Sequence, residues 1–528
     1  MRIKRPLKKI LCFSMAAVTA LSMSISAFAA EPYESYIYDT WQDAIPSQNS
    51  YRIDRTVTGY DMGLQRLSDP EDPLFVSENA AKKLANPRDL YFDDDEKQFW
   101  IADTDNNRII RLDEDLQITG CYYSVGGSTF SAPTGLYVKR SLYTDKLYIY
   151  IADTNNSRII KASVEGDMEL EMVKEYGKPD TDLYTVETFN PSKVVADAAE
   201  NVYAVCSAVN QGAVQFNAKG AFQGYYGANR VEVTAAVIAQ KLWRKFASNE
   251  QIDGMKRNVP VEYANFDIDE GGFIYTVTEK SNTTTDAVKK LNPAGYNIWD
   301  NVTGNEYKFG DMQSEWDPTS NSNHSTRLTD ICVGNNGLIN VLDYTTGRVF
   351  QYDRNANLLC IFGAKNSTND QRGTFSNPNA VEAYKNNIYV IDGAKCDITI
   401  YSETTFGKLM HEAVELYDEG KYTEAKPVWQ SVIERDGGYP LAYIGLGKAA
   451  LNDGEYQKAL DYFKAAYDQK DYDKAFKYAR EEYIREHFTA IVVVLAVLAV
   501  LLVVVSQMHK RNKYIFKGRF KKKAKEGR

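Results

Sequence analysis

Trp100-Ile101-Ala102-Asp103-Thr104-Asp105-Asn106-Asn107-Arg108-Ile109 and Tyr150-Ile151-Ala152-Asp153-Thr154-Asn155-Asn156-Ser157-Arg158-Ile159 are two settings of one phrase. Each is an apolar strand ending on Asp, a turn of short polar residues, and a second strand opening on Arg. Upstream lie a turn and a further strand, Asn86-Pro87-Arg88-Asp89-Leu90 and Ala132-Pro133-Thr134-Gly135-Leu136. The pattern returns from Asn190-Pro191 to Val205, from Tyr263 to Thr278, from Leu328 to Asp343 and from Asn377-Pro378 to Asp392, making six copies between Leu84 and Tyr401. A unit of a few short strands buries nothing alone, and stacking in a ring completes a core. The repeat therefore predicts a mainly β fold, a six-bladed β-propeller over 81–405. Copies three and four are the least regular, with Cys206 and Thr278 in the Asp place. Ahead of the first copy, within the N-terminal segment 30–80, Arg52-Ile53-Asp54-Arg55-Thr56-Val57 reads as a strand that closes the ring onto the last blade and removes its open edges.

The phrases at Asp103 and Asp153, with Asp343-Tyr344-Thr345-Thr346-Gly347-Arg348-Val349 as a weaker copy, resemble NHL repeats. That resemblance implies that these Asp and Asn side chains tie down tight turns, as short Asx groups do, rather than ligate metal. Between copies three and four, Ala235, Ile238, Leu242 and Phe246 fall on one helical face, followed by the cationic Trp243-Arg244-Lys245. The insertion reads first as a helix packed on its own blade, with a partner-docking surface at Trp243 and Arg244 as the alternative.

After Phe406 the apolar period becomes helical. Gly420-Lys421-Tyr422 with Ala425 and Trp429 recurs 34 residues on as Gly454-Glu455-Tyr456 with Ala459 and Phe463. Both units, within 406–487, resemble tetratricopeptide repeats, in which small residues let paired helices approach and aromatics fill the gap. Leu446-Gly447 adds a close-approach glycine, and Pro427 departs from the pattern inside a helix. The family's groove-facing positions fall on Met410, Val414, Tyr417, Ile444, Lys448 and Asn452, which are the expected partner-binding residues.

The two ends set the compartment. Residues 1–29 carry a basic start, an apolar stretch from Ile10 to Leu21 and the small-residue exit Ala27-Phe28-Ala29, the layout of a secretory signal. Phe488 to Val505 is 18 residues without a charge, a predicted transmembrane helix at 488–505. The tail 506–528 holds ten Lys or Arg against one Glu, a flank that stays cytoplasmic. The expectation is a single-pass cell-membrane protein with extracellular N-terminal domains. Without these ends, 47 basic residues face 70 acidic ones, a charge of about −23 that disfavours nucleic acid and other polyanions. The five cysteines left after the signal are scattered singly, and Cys332 with Cys360 is the one pair to test for a bond.

Catalytic motifs are sparse. Four histidines, His324, His411, His487 and His509, fall too far apart for a metal or triad pattern, and Asp93-Asp94-Asp95-Glu96 lacks the alternation of a calcium loop and reads as a solvated turn. The sequence thus favours a binding protein over an enzyme and nominates no cofactor. Six-bladed relatives that are metal-dependent, gluconolactonase-type hydrolases keep a divalent metal in the propeller channel open as an alternative. A second alternative is an extracellular sensor module acting through a partner. The whole resembles a Gram-positive group in which an NHL propeller sits on a tetratricopeptide stalk, companions of carbohydrate ABC transporters. That resemblance implies a permease or solute-binding protein as partner and a glycan as a ligand.

Overall fold

A computed structural model describes residues 31–165, 169–227, 261–279, 287–299, 307–312, 316–317, 322–323, 326–366 and 371–523. Six antiparallel sheets form the blades. Blade one comprises Asp89–Asp93, Gln98–Asp103, Arg108–Leu112 and Ile118–Tyr122, and blade two Pro133–Arg140, Leu147–Asp153, Arg158–Glu165 and Glu169–Tyr176. Blade three runs from Pro191–Ala196 to Phe222–Tyr226, blade five from Leu328–Val333 to Leu358–Phe362. Blade four has three described strands, Asn265–Ile268, Ile274–Val277 and Val288–Leu291. Blade six consists of Pro378–Tyr384, Asn387–Asp392 and Asp397–Glu403, and its fourth strand is Tyr51–Thr58, paired from Tyr51 opposite Glu403 to Thr58 opposite Asp397. First strands of neighbouring blades touch in order, and blade six touches blade one, so the ring is closed.

The apolar pattern explains the ring. Each blade is sandwiched between two others, so second strands are buried on both faces. All seven residues of Leu147–Asp153 and all five of Val202–Cys206 are buried. Strands buried on both faces read as continuous β-branched and aromatic runs rather than alternating ones.

The Asp that ends the second strand is the blade's clamp. Asp103 accepts from the backbone N–H of Ala85 at 2.7 Å, from Asn106 Nδ2 at 2.8 Å and from Arg108 Nε at 2.6 Å, with no solvent exposure at either charge. Asp153 repeats this with Ser131, Asn156 and Arg158, each at 2.8 Å. Asp343 accepts from Arg327 N at 2.8 Å and Thr346 Oγ1 at 2.6 Å. The shared phrase therefore joins the entry to the first strand, the turn and the start of the third strand through one carboxylate.

The five cysteines of the described residues are all free, and Cys332 and Cys360, the pair to test, form no bond. Cross-strand register runs Cys332, Asn340, Gln351, Cys360 across the four strands of blade five. With strands about 4.8 Å apart, the two cysteines lie roughly 14 Å from one another, beyond the about 7 Å limit for a disulfide. Gln351 fills the interval, donating to Asn340 Oδ1 and Tyr51 Oη at 2.9 Å each.

The helical unit contains α1 (Thr405–Asp418), α2 (Tyr422–Arg435), α3 (Pro440–Asn452), α4 (Tyr456–Ala465), α5 (Gln469–Glu486) and α6 (Phe488–Lys523). Gly420 and Gly454 turn the chain ahead of α2 and α4 at φ of 76° and 77°, a conformation that favours glycine. A Cβ at Gly445 would stand 2.3 Å from Trp429 Nε1, and one at Gly447 2.6 Å from the Phe463 ring. Both glycines of α3 are thus contact surfaces for the aromatics of α2 and α4. Within Phe488–Arg511 an uncharged 18-residue stretch has mean hydropathy 3.4 and is unburied, the length and composition of one candidate membrane span.

Candidate functional site: the channel and its mouth

Antiparallel register stacks the first-strand residues into layers around the ring axis. The lower layer contains Asp89, Gly135, Lys193, Asn265, Asp330 and Ala380, one from each blade. The next contains Tyr91, Tyr137, Val195, Asp267, Cys332 and Glu382. Gly135 belongs in the lower layer for lack of room, since a Cβ would sit 2.4 Å from the Ser192 carbonyl oxygen.

The lower layer is a polar plug. Lys193 of blade three reaches both carboxylate oxygens of Asp89 in blade one, at 2.7 and 2.8 Å, and both residues are buried. Burial opposes the ammonium charge, yet Asp89 and Asp330 hold the Lys193 pKa above its ordinary value. Asp330 is buried, and that burial pushes its pKa up to about 8, with Lys193 pulling it down.

The carboxylates also suture blade to blade. Asp89 accepts from Leu136 N of blade two at 2.6 Å, Asp267 from Val333 N of blade five at 2.8 Å, and Asp330 from Val381 N of blade six at 2.7 Å. Glu382 accepts from Phe92 N of blade one at 3.2 Å. In the upper layer, the remaining oxygens of Asp267 and Glu382 accept from Ile268 N and Ala383 N, at 2.8 Å each. Burial raises the Asp267 pKa to about 6 and lifts that of Glu382 well above its ordinary value, the neighbouring Asp267 adding to the latter.

Above this layer the channel opens into a cavity of about 670 Å³ at the end where first and second strands join. Its floor is Tyr91, Tyr137, Asp267 and Glu382, and its wall includes Asp93–Asp95, Lys139–Leu142, Asp269–Gly271, Phe273, Tyr275, Lys290 and Arg354. Eight carboxylates and four cationic side chains line it. The Tyr91 and Tyr137 rings meet at 5.2 Å. Lys290 Nζ lies 5.1 Å from the ring centres of both Phe273 and Tyr275.

The run Asp93–Glu96 takes the turn that the sequence implies and does more. Asp93 is buried and accepts from Asp95 N and Glu96 N, each at 3.2 Å, while burial lifts its pKa to about 6. Asp93, Asp94 and Asp95 also rim the cavity. Sequence reading missed the mouth because its residues come in short runs from blades far apart in the chain.

Among the described residues, no three His, Cys, Asp or Glu converge to hold a metal ion. The channel acids fit that donor role poorly, since Asp89 is spent on Lys193 and the others on neighbouring backbone N–H groups.

Within the helical unit, Lys448 Nζ stands 5.0 Å over the Tyr417 ring and 3.6 Å from Asp471 Oδ2. Met410 and Val414 are buried, Tyr417, Ile444 and Lys448 half-buried, and Asn452 exposed. The sequence-derived set therefore offers a partner chiefly Asn452 and the edges of Tyr417 and Lys448. Trp243 and Arg244 lie outside the described residues, as do the signal region 1–29 and the predicted insertion helix.

Residues 411–483 match the tetratricopeptide repeat family. No curated protein matches the sequence. Among solved structures, the chain is similar to virginiamycin B lyase from Staphylococcus aureus, at 13% identity over 60% of this chain and 80% of that one, with a TM-score of 0.34. It is also similar to the major Malassezia sympodialis allergen Mala s 1, at 12% identity over 60% and 92%, TM-score 0.38. Kuenenia stuttgartiensis hydrazine synthase is similar at 9% identity over 63% and 99%, TM-score 0.34. Values this low assign neither activity nor ligand. What the chain does share, over the residues matched, is the helical-hairpin repeat.

Proposed function

We propose that this chain is a membrane-anchored, extracytoplasmic recognition protein: the propeller holds a small polar ligand, and the helical repeats couple that event to a neighbouring membrane complex. The observation that carries the reading is the cavity at the channel mouth, whose volume suits a small molecule and whose lining mixes aromatic rings with charged groups. An apolar helix with a cationic flank anchors the chain with its C-terminus inside. The resemblance to a propeller and tetratricopeptide group that accompanies carbohydrate ABC transporters supplies the partner in this reading, a permease or solute-binding subunit, and a glycan as the ligand.

The test is crosslinking in cells that make the protein natively, purification of the full-length chain and mass spectrometry of what accompanies it. Recovery of a permease or solute-binding subunit supports the reading. Recovery of nothing above control removes the coupling role.

A further inference from the structure

The cavity floor carries two carboxyl groups, Glu382 and Asp267, that no cationic side chain pairs directly among the described residues. Glu382 is 9% exposed, and its two oxygens meet the backbone N–H groups of Phe92 and Ala383; no ion pair to it forms among the described residues. Asp267 beside it is held in the same way, by Val333 N and Ile268 N. Against the effect of burial, Lys193 lowers the pKa of both carboxyl groups as a through-space charge without an ion pair to either. Lys193 below grips Asp89 through both oxygens, and Arg140 on the wall pairs with Glu96. A buried carboxylate without a counter-charge is costly, and its charged form is favoured by an opposite charge within about 4–6 Å. The adjoining Tyr91 and Tyr137 rings offer the π faces that a desolvated ammonium group also favours.

We propose that the cavity binds a ligand bearing a primary ammonium group, with Glu382 and Asp267 as its counter-charges and Tyr91 and Tyr137 as its aromatic floor. This rests on the reading of the cavity as the recognition site, and it narrows the ligand to an amine. Ammonium groups of this kind come from amino sugars or from polyamines. Burial raises the pKa of both acids in the free protein, so ammonium binding ionises them with release of protons, and that ionisation offsets part of the attraction.

The experiment is calorimetric titration of the purified full-length chain with three probes: a glucosamine oligomer, its fully N-acetylated counterpart and spermidine. Saturable binding of the glucosamine oligomer alone assigns an amino sugar. Binding of spermidine as well assigns the ammonium group irrespective of its carrier. In either case, Glu382→Gln and Asp267→Asn should each weaken binding at least ~10-fold, about the loss of one favourable charge contact. Unchanged thermal unfolding of the variants keeps that loss from being a folding defect. Equal binding of the N-acetylated and free oligomers, or undiminished affinity in both variants, overturns the amine assignment while leaving a recognition cavity in place. No binding of any probe overturns it too, and recovery of the membrane partner then still tests the coupling role separately.

Discussion

Asp103 and Glu382 are both buried carboxylates, and they differ in what surrounds them. Asp103 has Arg108 at 2.6 Å and stabilises one blade. Replacing it by Ala leaves a guanidinium buried without its partner, which costs about 3–5 kcal/mol. Urea denaturation of Asp103→Ala should show a matching fall in the stability of the propeller. The channel acids act in the opposite sense. The pKa values of Asp93 and Asp267 are raised to about 6 and that of Asp330 to about 8, against about 3.9 in an unfolded chain. The native state therefore holds their protons more tightly, so their contribution is present below about pH 4 and lost as the pH rises through 6 to 8. Thermal unfolding followed from pH 5 to 8.5 should show the propeller losing stability, and Asp330→Asn should flatten the upper part of that fall. A melting temperature that climbs over this range would contradict the channel electrostatics.

At the scale of elements, the packing of α3 depends on two missing side chains. Adding a methyl at Gly447 places it 2.6 Å from the Phe463 ring, and overpacking of this kind costs about 1–3 kcal/mol. Circular dichroism melts of Gly447→Ala should show a weakened helical transition, and Gly445→Ala should do the same through Trp429. The closing strand makes a second prediction. Without Tyr51–Thr58, the Asp397–Glu403 edge loses its ladder, so deletion of that segment should yield a chain that aggregates on refolding, as light scattering would register. These elements were legible because each leaves a local trace: the Asp and Arg around a turn, a short strand-like run at Arg52–Val57 ahead of the first copy, a 34-residue spacing of glycine and aromatic. Blades three and four left weaker traces, since Cys206 and Thr278 replace the clamping Asp. The channel left none. Asp89, Lys193, Asp267, Asp330 and Glu382 are scattered over nearly 300 positions, and only strand register stacks them in layers. Aligning the six first strands residue by residue would have exposed the alternating carboxylates. Cys332 and Cys360, the pair to test for a bond, are kept apart for the same reason, because two strands of blade five lie between theirs.

Taken as one molecule, the chain carries, in order along the sequence, a closed ring with an acidic mouth, a pair of helical hairpins and a helix that opens with an uncharged apolar stretch. The Tyr51–Thr58 strand closes the ring from within the chain, and the cavity opens at the mouth of that closed ring. The short repeat array, by contrast, has few units and an exposed Asn452 beside the half-buried Tyr417 and Lys448, a surface suited to a second protein. The most direct measurement is site-specific photocrosslinking from position 452 of the full-length chain in intact cells, with Lys458 on the neighbouring helix as the control position. The account predicts a covalent adduct to a transporter permease or solute-binding subunit from position 452, diminished by Lys448→Glu and absent from position 458. Equal labelling from both positions, or no adduct from either, would contradict it.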